Sequence, residues 1–237
     1  MCGICGFFGD GTEISKETLD RMNSALVRRG PDESGSFFDS EVGLAMRRLS
    51  IIDLHGGSQP IHNEDRTVWV VLNGEIYNYQ ELRISLLARG HCFYTNSDTE
   101  VIVHLYEEYG EKCVDHLSGM FAFALWDTTR RRGLIARDRL GIKPLFYAEN
   151  QGTIIFASEI KAILTSGLIS RRIDYQALDA FMTFTYIPAP LTIYEQVRKL
   201  EPGHLLIWES GRVDDRQYWM LDVANPDRIA EEAEWLE

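Results

Sequence analysis

The chain has 237 residues, and its 36 acidic and 24 basic side chains give a formal net charge of −12 at pH 7. Without a basic stripe this charge argues against a nucleic-acid surface, and no apolar run is long enough to span a membrane. Four cysteines without a secretory signal pattern predict a reduced, cytoplasmic globular protein.

The first part of the chain predicts three strands and one amphipathic helix. Residues 4–8 have the composition of a buried strand, and further strands are predicted over 42–50 and 67–72. Ser15 is placed to cap a helix whose inner face consists of Leu19, Met22 and Leu26. Arg28 and Arg29 are expected in its last turn, with Gly30 at the C′ position.

The remainder predicts helices around a strand-rich middle. One helix carries Leu82 and Leu86 and ends near Gly90, and the next runs from Ser97 to Gly110. The other predicted elements are strands over 121–126, 134–137, 145–148, 153–157 and 205–208, and helices over 159–164 and 175–184. This order predicts a layered α+β fold rather than a doubly wound sheet.

Cys2 is the first candidate functional residue. If Met1 is removed, one residue carries both a thiol and a free α-amine, whose ordinary pKa of about 7.7–8.0 suits a general base. Cys2 and Cys5 also form a C-x-x-C pair, but a zinc site would need a second pair, and Cys92 and Cys113 stand apart. No metal site is therefore predicted, and Cys5 is interpreted as a small core residue.

Three further segments have both a structural and a functional interpretation. Asn73-Gly74-Glu75 is typical of a tight hairpin turn, yet an amide side chain and a glycine N–H are also donors suited to an oxyanion. The segment 97–100 has the pattern of a helix capping box, with Asp98 in the first turn. Arg48 is either a solvated strand end or a bidentate ligand for a carboxylate.

Together these segments resemble a known family. Taken in order, MCGICG, RRGPDESG, RRLSIIDL, NGEIYNY, SDTE, GMFAFALWD, RDRLGIKPLFY and ASEIKAIL are similar to the glutaminase domain of class II glutamine amidotransferases of the asparagine synthetase type. The resemblance covers about residues 2–219. It implies the N-terminal-nucleophile fold, a four-layer αββα sandwich.

The resemblance also implies roles for individual residues. Cys2 would attack the side-chain amide of glutamine, and Asn73 with the N–H of Gly74 would form the oxyanion hole. Arg48 would bind the substrate carboxylate, and Glu75 and Asp98 its ammonium. The pocket would also be lined by the segment that follows Arg48, namely Leu49, Ser50, Ile51 and Ile52.

The expected partner is a synthetase domain that binds ATP and magnesium. Its nucleotide loop is not in these residues, so no cofactor is expected in this chain, and residues 220–237 are predicted to begin an acidic linker helix. Two alternatives stay open: the same glutaminase serving another ATP-activated carboxylate, or a non-catalytic regulatory module. A homodimer is the oligomer left open.

Overall fold

The computed structural model describes residues 2–9, 14–49 and 57–222. The strands are β1 (Gly3–Phe8), β2 (Glu33–Asp39), β3 (Val42–Arg48), β4 (Ile61–His62), β5 (Val68–Ile76), β6 (Gly119–Asp127), β7 (Arg132–Arg137), β8 (Phe146–Asn150), β9 (Thr153–Ala157), β10 (Arg198–Lys199), β11 (His204–Glu209) and β12 (Arg212–Gln217). The helices are α1 (Lys16–Ser24), α2 (Tyr79–Ala88), α3 (Glu100–Tyr109), α4 (Ile160–Thr165) and α5 (Tyr175–Phe184), and a 3₁₀ helix spans Gly110–His116.

The strands form two six-stranded antiparallel sheets. In the first the order is β10-β8-β9-β1-β3-β2, and in the second it is β12-β11-β7-β6-β5-β4. The amino-terminal strand β1 therefore lies in the middle of its sheet, between β3 and β9. Strand β5 lies beside the short edge strand β4, which pairs only with Trp69 and Val70.

Three hydrophobic cores separate four layers. The central core joins the two sheets, with Ile4 and Phe8 of the first sheet packed among side chains such as Trp126 of the second. On the outer face of the first sheet, Cys5 and Phe7 belong to a core with residues of α1 and α4. A third core lies between the second sheet and α2, α3 and the 3₁₀ helix. The fold is the αββα sandwich expected from the sequence.

Burial on both faces explains why the central strands have continuous apolar sequences. In β6, Phe121, Phe123 and Leu125 face the helices, whereas Ala122 and Ala124 face the other sheet. Successive side chains of a strand point to opposite faces, so a strand between two cores needs apolar residues at every position. No helix in the described ranges is both long and apolar enough to cross a bilayer.

The predicted end of the first helix is wrong. Helix α1 does begin after Ser15, whose hydroxyl accepts from the N–H of Thr18, but it ends at Ser24 with Ala25 as its C-cap. Gly30 is not in the left-handed region; a Cβ there would lie 2.3 Å from the carbonyl carbon of Arg47. Gly30 is therefore required for close packing on β3, not for ending the helix.

Two local predictions near the candidate site are also wrong. Asn73 and Gly74 lie inside β5, paired with Ala122 and Phe121, so they form no hairpin turn. The capping box does not form either, because α3 begins at Glu100 and has Thr99 as its N-cap. The Glu100 carboxylate instead accepts the backbone N–H groups of residues 94 and 95, each at 2.7 Å. The predicted linker helix over 220–237 lies almost wholly outside the described residues.

Candidate active site

A cleft of about 220 Å³ opens where the carboxyl end of β3, the second half of β5 and the amino end of β1 meet. Its lining comes from both sheets and from the segment before α3. It comprises Cys2, Arg48, Leu49, Gly57, Gln59, Leu72, Asn73, Gly74, Glu75, Ser97, Asp98, Thr99, Met120 and Lys143. The cleft is thus assembled by the packing of the two sheets.

The backbone of Cys2 is held in place just before β1 by a hydrogen bond from Arg29. The Arg29 Nε donates to the carbonyl oxygen of Cys2 at 2.8 Å, and the Arg29 guanidinium also pairs with Glu159 at 3.5 Å. The Cys2 Sγ lies 3.7 Å from the carbonyl oxygen of Leu49, to which the thiol donates. The thiol is half-buried and lines the cleft. Its position suits a nucleophile because a substrate in the cleft could reach it.

The side chain of Asn73 is buried yet unpaired. It is 1% exposed, and neither its Nδ2 nor its Oδ1 has a hydrogen-bond partner among the described residues. Leaving a buried polar group unsatisfied costs about 1–3 kcal/mol. In β5 it shares a face with Val71, which packs in the core between the sheets, the side on which Cys2 lies. An unpaired amide lining this cleft is available to a ligand.

Gly74 directs its N–H into the same region. Alternate residues of a strand point their N–H groups to the same edge, and in β5 the Leu72 N–H donates to Gln59 Oε1 and the Ile76 N–H to Asp98 Oδ2. The N–H of Gly74, midway between them, therefore points to this edge and away from β6. The hydrogen bonds of Phe121, which lies opposite Gly74 in β6, agree with this direction. Its N–H and its carbonyl oxygen both bond to Asp138 and not to Gly74.

No side chain fits at position 74. A Cβ there would lie 2.3 Å from the carbonyl oxygen of Met120 and 2.7 Å from the Cα of Phe121. Glycine is thus required by the close approach of β6. The Asn73 amide and the Gly74 N–H form a pair of adjacent donors.

Acidic groups occupy one end of the cleft. Asp98 is 5% exposed and accepts the Ile76 N–H at 2.8 Å. Burial is the main cause that raises the pKa of Asp98 above its usual range, and the neighbouring charge of Glu75 raises it further. Because both carboxylates line the cleft, this end favours a cationic group.

Arg48 supplies positive charge to the cleft. It is 5% exposed, and its Nη1 lies 3.0 Å from the carboxylate of Glu33, which is part of the edge strand β2. This ion pair holds the guanidinium beside the cleft that it lines. Lys143, which is also buried, is a second cationic side chain in the lining.

The segment that carries Lys143 is fixed by one buried carboxylate. Asp138 accepts the backbone N–H groups of four residues, Phe121, Leu140, Ile142 and Lys143, at 2.9–3.2 Å. Arg137 also holds this segment, because its guanidinium donates to the carbonyl oxygens of Lys143 at 2.8 Å and Gly141 at 2.7 Å. The sequence RDRLGIK therefore forms a rigid loop that closes the cleft beside β6.

The structure brings together every described residue that the sequence analysis selected: Cys2, Arg48, Leu49, Asn73, Gly74, Glu75 and Asp98 all line one cleft. Ser50, Ile51 and Ile52 lie outside the described residues. Sequence reasoning missed Arg29, Gln59 and Lys143. The only signal for Arg29 and Lys143 was their presence in RRGPDESG and RDRLGIKPLFY, while Gln59 lay in a segment interpreted as a loop.

Comparison with known proteins identifies the family. The family described as the glutamine amidotransferase domain matches residues 1–219, and the chain belongs to it. The chain is 44% identical over 207 residues to glutamine-hydrolyzing asparagine synthetase 1 of Bacillus subtilis, which covers 86% of this chain and 33% of that protein. It is 37% identical over 248 residues to amidase chry2 of Gibberella zeae, which covers 98% of this chain and 36% of that protein.

A solved structure shares the fold. The glutamine phosphoribosylpyrophosphate amidotransferase of B. subtilis matches with a TM-score of 0.66 at 19% identity, over 93% of this chain and 50% of that one. This places the αββα sandwich among the glutamine amidotransferase folds. The chain spans only about a third of the length of the B. subtilis and G. zeae relatives.

Proposed function

We propose that the chain is the glutaminase domain of an asparagine synthetase, which hydrolyses glutamine to glutamate and ammonia. One observation carries the proposal: the buried, unpaired amide of Asn73 and the N–H of Gly74 line the cleft that contains the Cys2 thiol. Donors held where an oxyanion develops, beside a nucleophile, are the arrangement that acyl transfer requires.

The reaction begins at Cys2, once Met1 has been removed. The thiolate attacks the side-chain amide carbon of glutamine, and the oxyanion is held by Asn73 and Gly74. The α-amine of Cys2 carries the thiol proton to the departing nitrogen, so that ammonia leaves and a thioester forms. The same amine then takes a proton from water, which attacks the thioester and releases glutamate and the free thiol.

The charges in the cleft suit the zwitterionic end of glutamine. Arg48 would hold the α-carboxylate, and Leu49, Ser50, Ile51 and Ile52, which follow it in the sequence, would line the pocket. Asp98 and Glu75 would hold the α-ammonium. Asp98 can do so although its pKa is raised, because a bound cation favours the ionised carboxylate.

The ammonia would be consumed by a second domain. In this proposal residues 2–219 form the glutaminase domain, and 220–237 begin a linker to a synthetase domain that uses ATP and magnesium to activate aspartate. The relatives named as asparagine synthetases, which are longer than this chain, support it. Similarity to amidase chry2 keeps open a second candidate, in which the same glutaminase serves another activated carboxylate.

The nucleophile can be tested by intact mass. Treatment with 6-diazo-5-oxo-norleucine should add one adduct, on Cys2, to chains that have lost Met1, and should abolish glutamate release. Cys92→Ser is the matched control, because Cys92 is an exposed thiol outside the cleft. Turnover by a chain proven to retain Met1 would contradict the N-terminal base.

The proposal extends to the compartment and the oligomeric state of the protein. We infer a cytoplasmic protein from its reduced cysteines and acidic charge. A homodimer is the assembly to test. Light scattering during size-exclusion chromatography measures the molar mass of the assembly directly.

A further inference from the structure

A second group of chemically active side chains lies outside the cleft, around the buried His104 of α3. Glu64, His91, His104 and Glu107 each offer one nitrogen or oxygen atom, and these atoms all lie within 4.8 Å of one another. They come from three segments: the turn between β4 and β5, the segment after α2, and α3 itself. None of the four lines the cleft.

The distances within this cluster approach those of a metal centre. Glu107 Oε2 lies 2.9 Å from His104 Nδ1 and 3.4 Å from His91 Nδ1. The Glu64 carboxylate lies 3.7 Å from His104 Nδ1 and 4.0 Å from His91 Nδ1. Ligands bound to zinc at about 2.0–2.2 Å in a tetrahedron are about 3.3–3.6 Å apart. Small side-chain shifts would therefore bring all four atoms onto one ion.

The far side of each imidazole faces another carboxylate. His91 Nε2 lies 3.0 Å from Glu108 Oε1, and His104 Nε2 lies 3.7 Å from Glu100 Oε1. In metal centres the ligating histidine commonly donates its other N–H to a carboxylate, which fixes the tautomer and the ring orientation. His91 has this arrangement, whereas His104 Nε2 faces Glu100 without a hydrogen-bond partner among the described residues. In both rings Nδ1 is turned toward the other members of the cluster.

The two carboxylates of the cluster are oriented as well. Asn63 Nδ2 donates to Glu107 Oε1 at 2.8 Å, which leaves Oε2 toward the histidines. The backbone N–H of Cys92 donates to Glu64 Oε1 at 2.6 Å. Such outer contacts hold ligand atoms in place before an ion arrives.

We propose that Glu64, His91, His104 and Glu107 bind one divalent transition ion, with zinc as the best match. Two imidazoles and two carboxylates suit zinc, whose +2 charge would balance the two carboxylates. The sequence analysis considered only the Cys2/Cys5 pair and predicted no metal site. The four ligands proposed here are spread over 44 positions and have no C-x-x-C or H-x-x-x-H spacing. The alternative to a bound ion is a protonated imidazole that makes ion pairs with the carboxylates of the cluster.

The role of the ion would be structural. It would fasten the turn at Glu64 and the segment at His91 to α3. Through His104 it would also position Glu100, whose carboxylate holds the backbone of residues 94 and 95. That segment leads directly to Asp98 in the cleft, so the ion would stabilise the approach to the site without taking part in the chemistry.

Zinc titration tests the proposal. The untagged chain is used with Cys2→Ala and Cys92→Ser, because Cys5 and Cys113 are buried and the other two thiols could bind zinc themselves. After removal of metal with a chelator, calorimetry should show one Zn²⁺ per chain. The Tm should rise by about 5–10 °C when free zinc is about 100 times its Kd. Cobalt should bind with the absorption bands of a four-coordinate ion.

Two variants assign the ligands. His91→Gln and Glu64→Gln alter partly exposed side chains, and each should weaken zinc binding by at least about tenfold and remove most of the Tm increase. His116→Gln changes an exposed histidine outside the cluster and should bind zinc as the parent does. Absence of stoichiometric binding, or unchanged affinity in both variants, would overturn the proposal.

Discussion

Asp98 and Ile76 join the acidic end of the cleft to the strand that carries the oxyanion donors. The Asp98 carboxylate accepts the Ile76 N–H at 2.8 Å, two residues beyond Gly74 in β5. A substrate ammonium at Asp98 and an oxyanion at Gly74 would thus be held by one short piece of strand. Because the spacing between alternate residues of a strand is nearly fixed, the distance between the two subsites is set by the backbone.

The contrast between two buried asparagines provides the first prediction. Asn73→Ala should lower kcat by about 10²–10³ with little change in KM, because an oxyanion donor acts mainly in the transition state. Its free energy of unfolding should stay within about 1 kcal/mol of the parent, because the lost amide makes no hydrogen bond among the described residues. Glutamate release and urea unfolding measure the two effects.

Asn63 is the matched control for Asn73. It is also 1% exposed, but its amide bonds to Glu107 and to the N–H groups of Thr67 and Val68. Asn63→Ala should therefore destabilise the fold and leave kcat nearly unchanged in the folded protein. If Asn73→Ala proved as destabilising as Asn63→Ala with normal kcat, Asn73 would be a structural residue.

The second prediction concerns Gly74. Gly74→Ala should reduce both stability and activity, since the added methyl would meet the Met120 carbonyl oxygen and force β5 away from β6. Gly167→Ala is the control: its methyl would enter open space away from the cleft, so any cost is confined to the positive φ of 80° and activity should be retained. Thermal unfolding and glutaminase assays compare the two. An active, stable Gly74→Ala protein would contradict the observed packing.

The third prediction is a pH dependence from Asp98. Its pKa is raised, so kcat/KM should fall as the pH drops through a midpoint above 3.8, where the carboxylate loses its charge. Asp98→Asn should remove this limb and raise KM by roughly 10–100-fold, because a charge-assisted contact to the ammonium is lost. Glu75→Gln should move the midpoint down, since the Glu75 charge contributes to the raised pKa.

The free energy of unfolding should depend on the charge of Asp98 in the opposite sense to kcat/KM. A carboxyl whose folded pKa lies above its unfolded value stabilises the fold below the unfolded pKa, and that contribution is lost as the pH rises through the folded pKa. Asp98→Asn should accordingly be no less stable than the parent at pH 7, although it binds substrate worse. A lower Tm together with an unchanged pH profile would assign Asp98 a purely structural role.

The fourth prediction concerns the loop after β7. Asp138→Asn should destabilise the fold by about 2–4 kcal/mol, because an amide presents N–H donors where four backbone N–H groups need acceptors. Asp115→Asn, at an exposed position, should change stability by less than about 0.5 kcal/mol. Urea unfolding distinguishes the two, and equal stability would mean that the loop tolerates an uncharged acceptor.

Sequence patterns predicted the elements with many apolar residues in a regular pattern. Strand β9 and helix α5 have the predicted bounds, and β6 differs by only a few residues at its ends. Strands β2 and β12 were missed because they are edge strands in which polar residues outnumber apolar ones and no residue is fully buried, so their apolar pattern is weak. Their presence depends on the neighbours with which they pair.

The sequence identified the residues of the site only in part. The resemblance selected residues as distant as Cys2, Asn73 and Asp98, which no local pattern would bring together. It did not reveal that Gln59 caps the free N–H of Leu72 beside the donors. The Asn-Gly pair was misread for a related reason: turn propensity is local, whereas the packing of β6 keeps this pair extended.

The central position of β1 has a consequence for biosynthesis. Although β1 lies far upstream of β9 in the sequence, the two strands pair, with Ala157 opposite Cys5, and the Ser158 hydroxyl accepts the backbone N–H of Ile4. A ribosome must therefore release the whole segment from β1 to β9 before the sheet can close around β1. Because such long-range pairing is slow to form, the nucleophile should be among the last parts of the domain to reach its place.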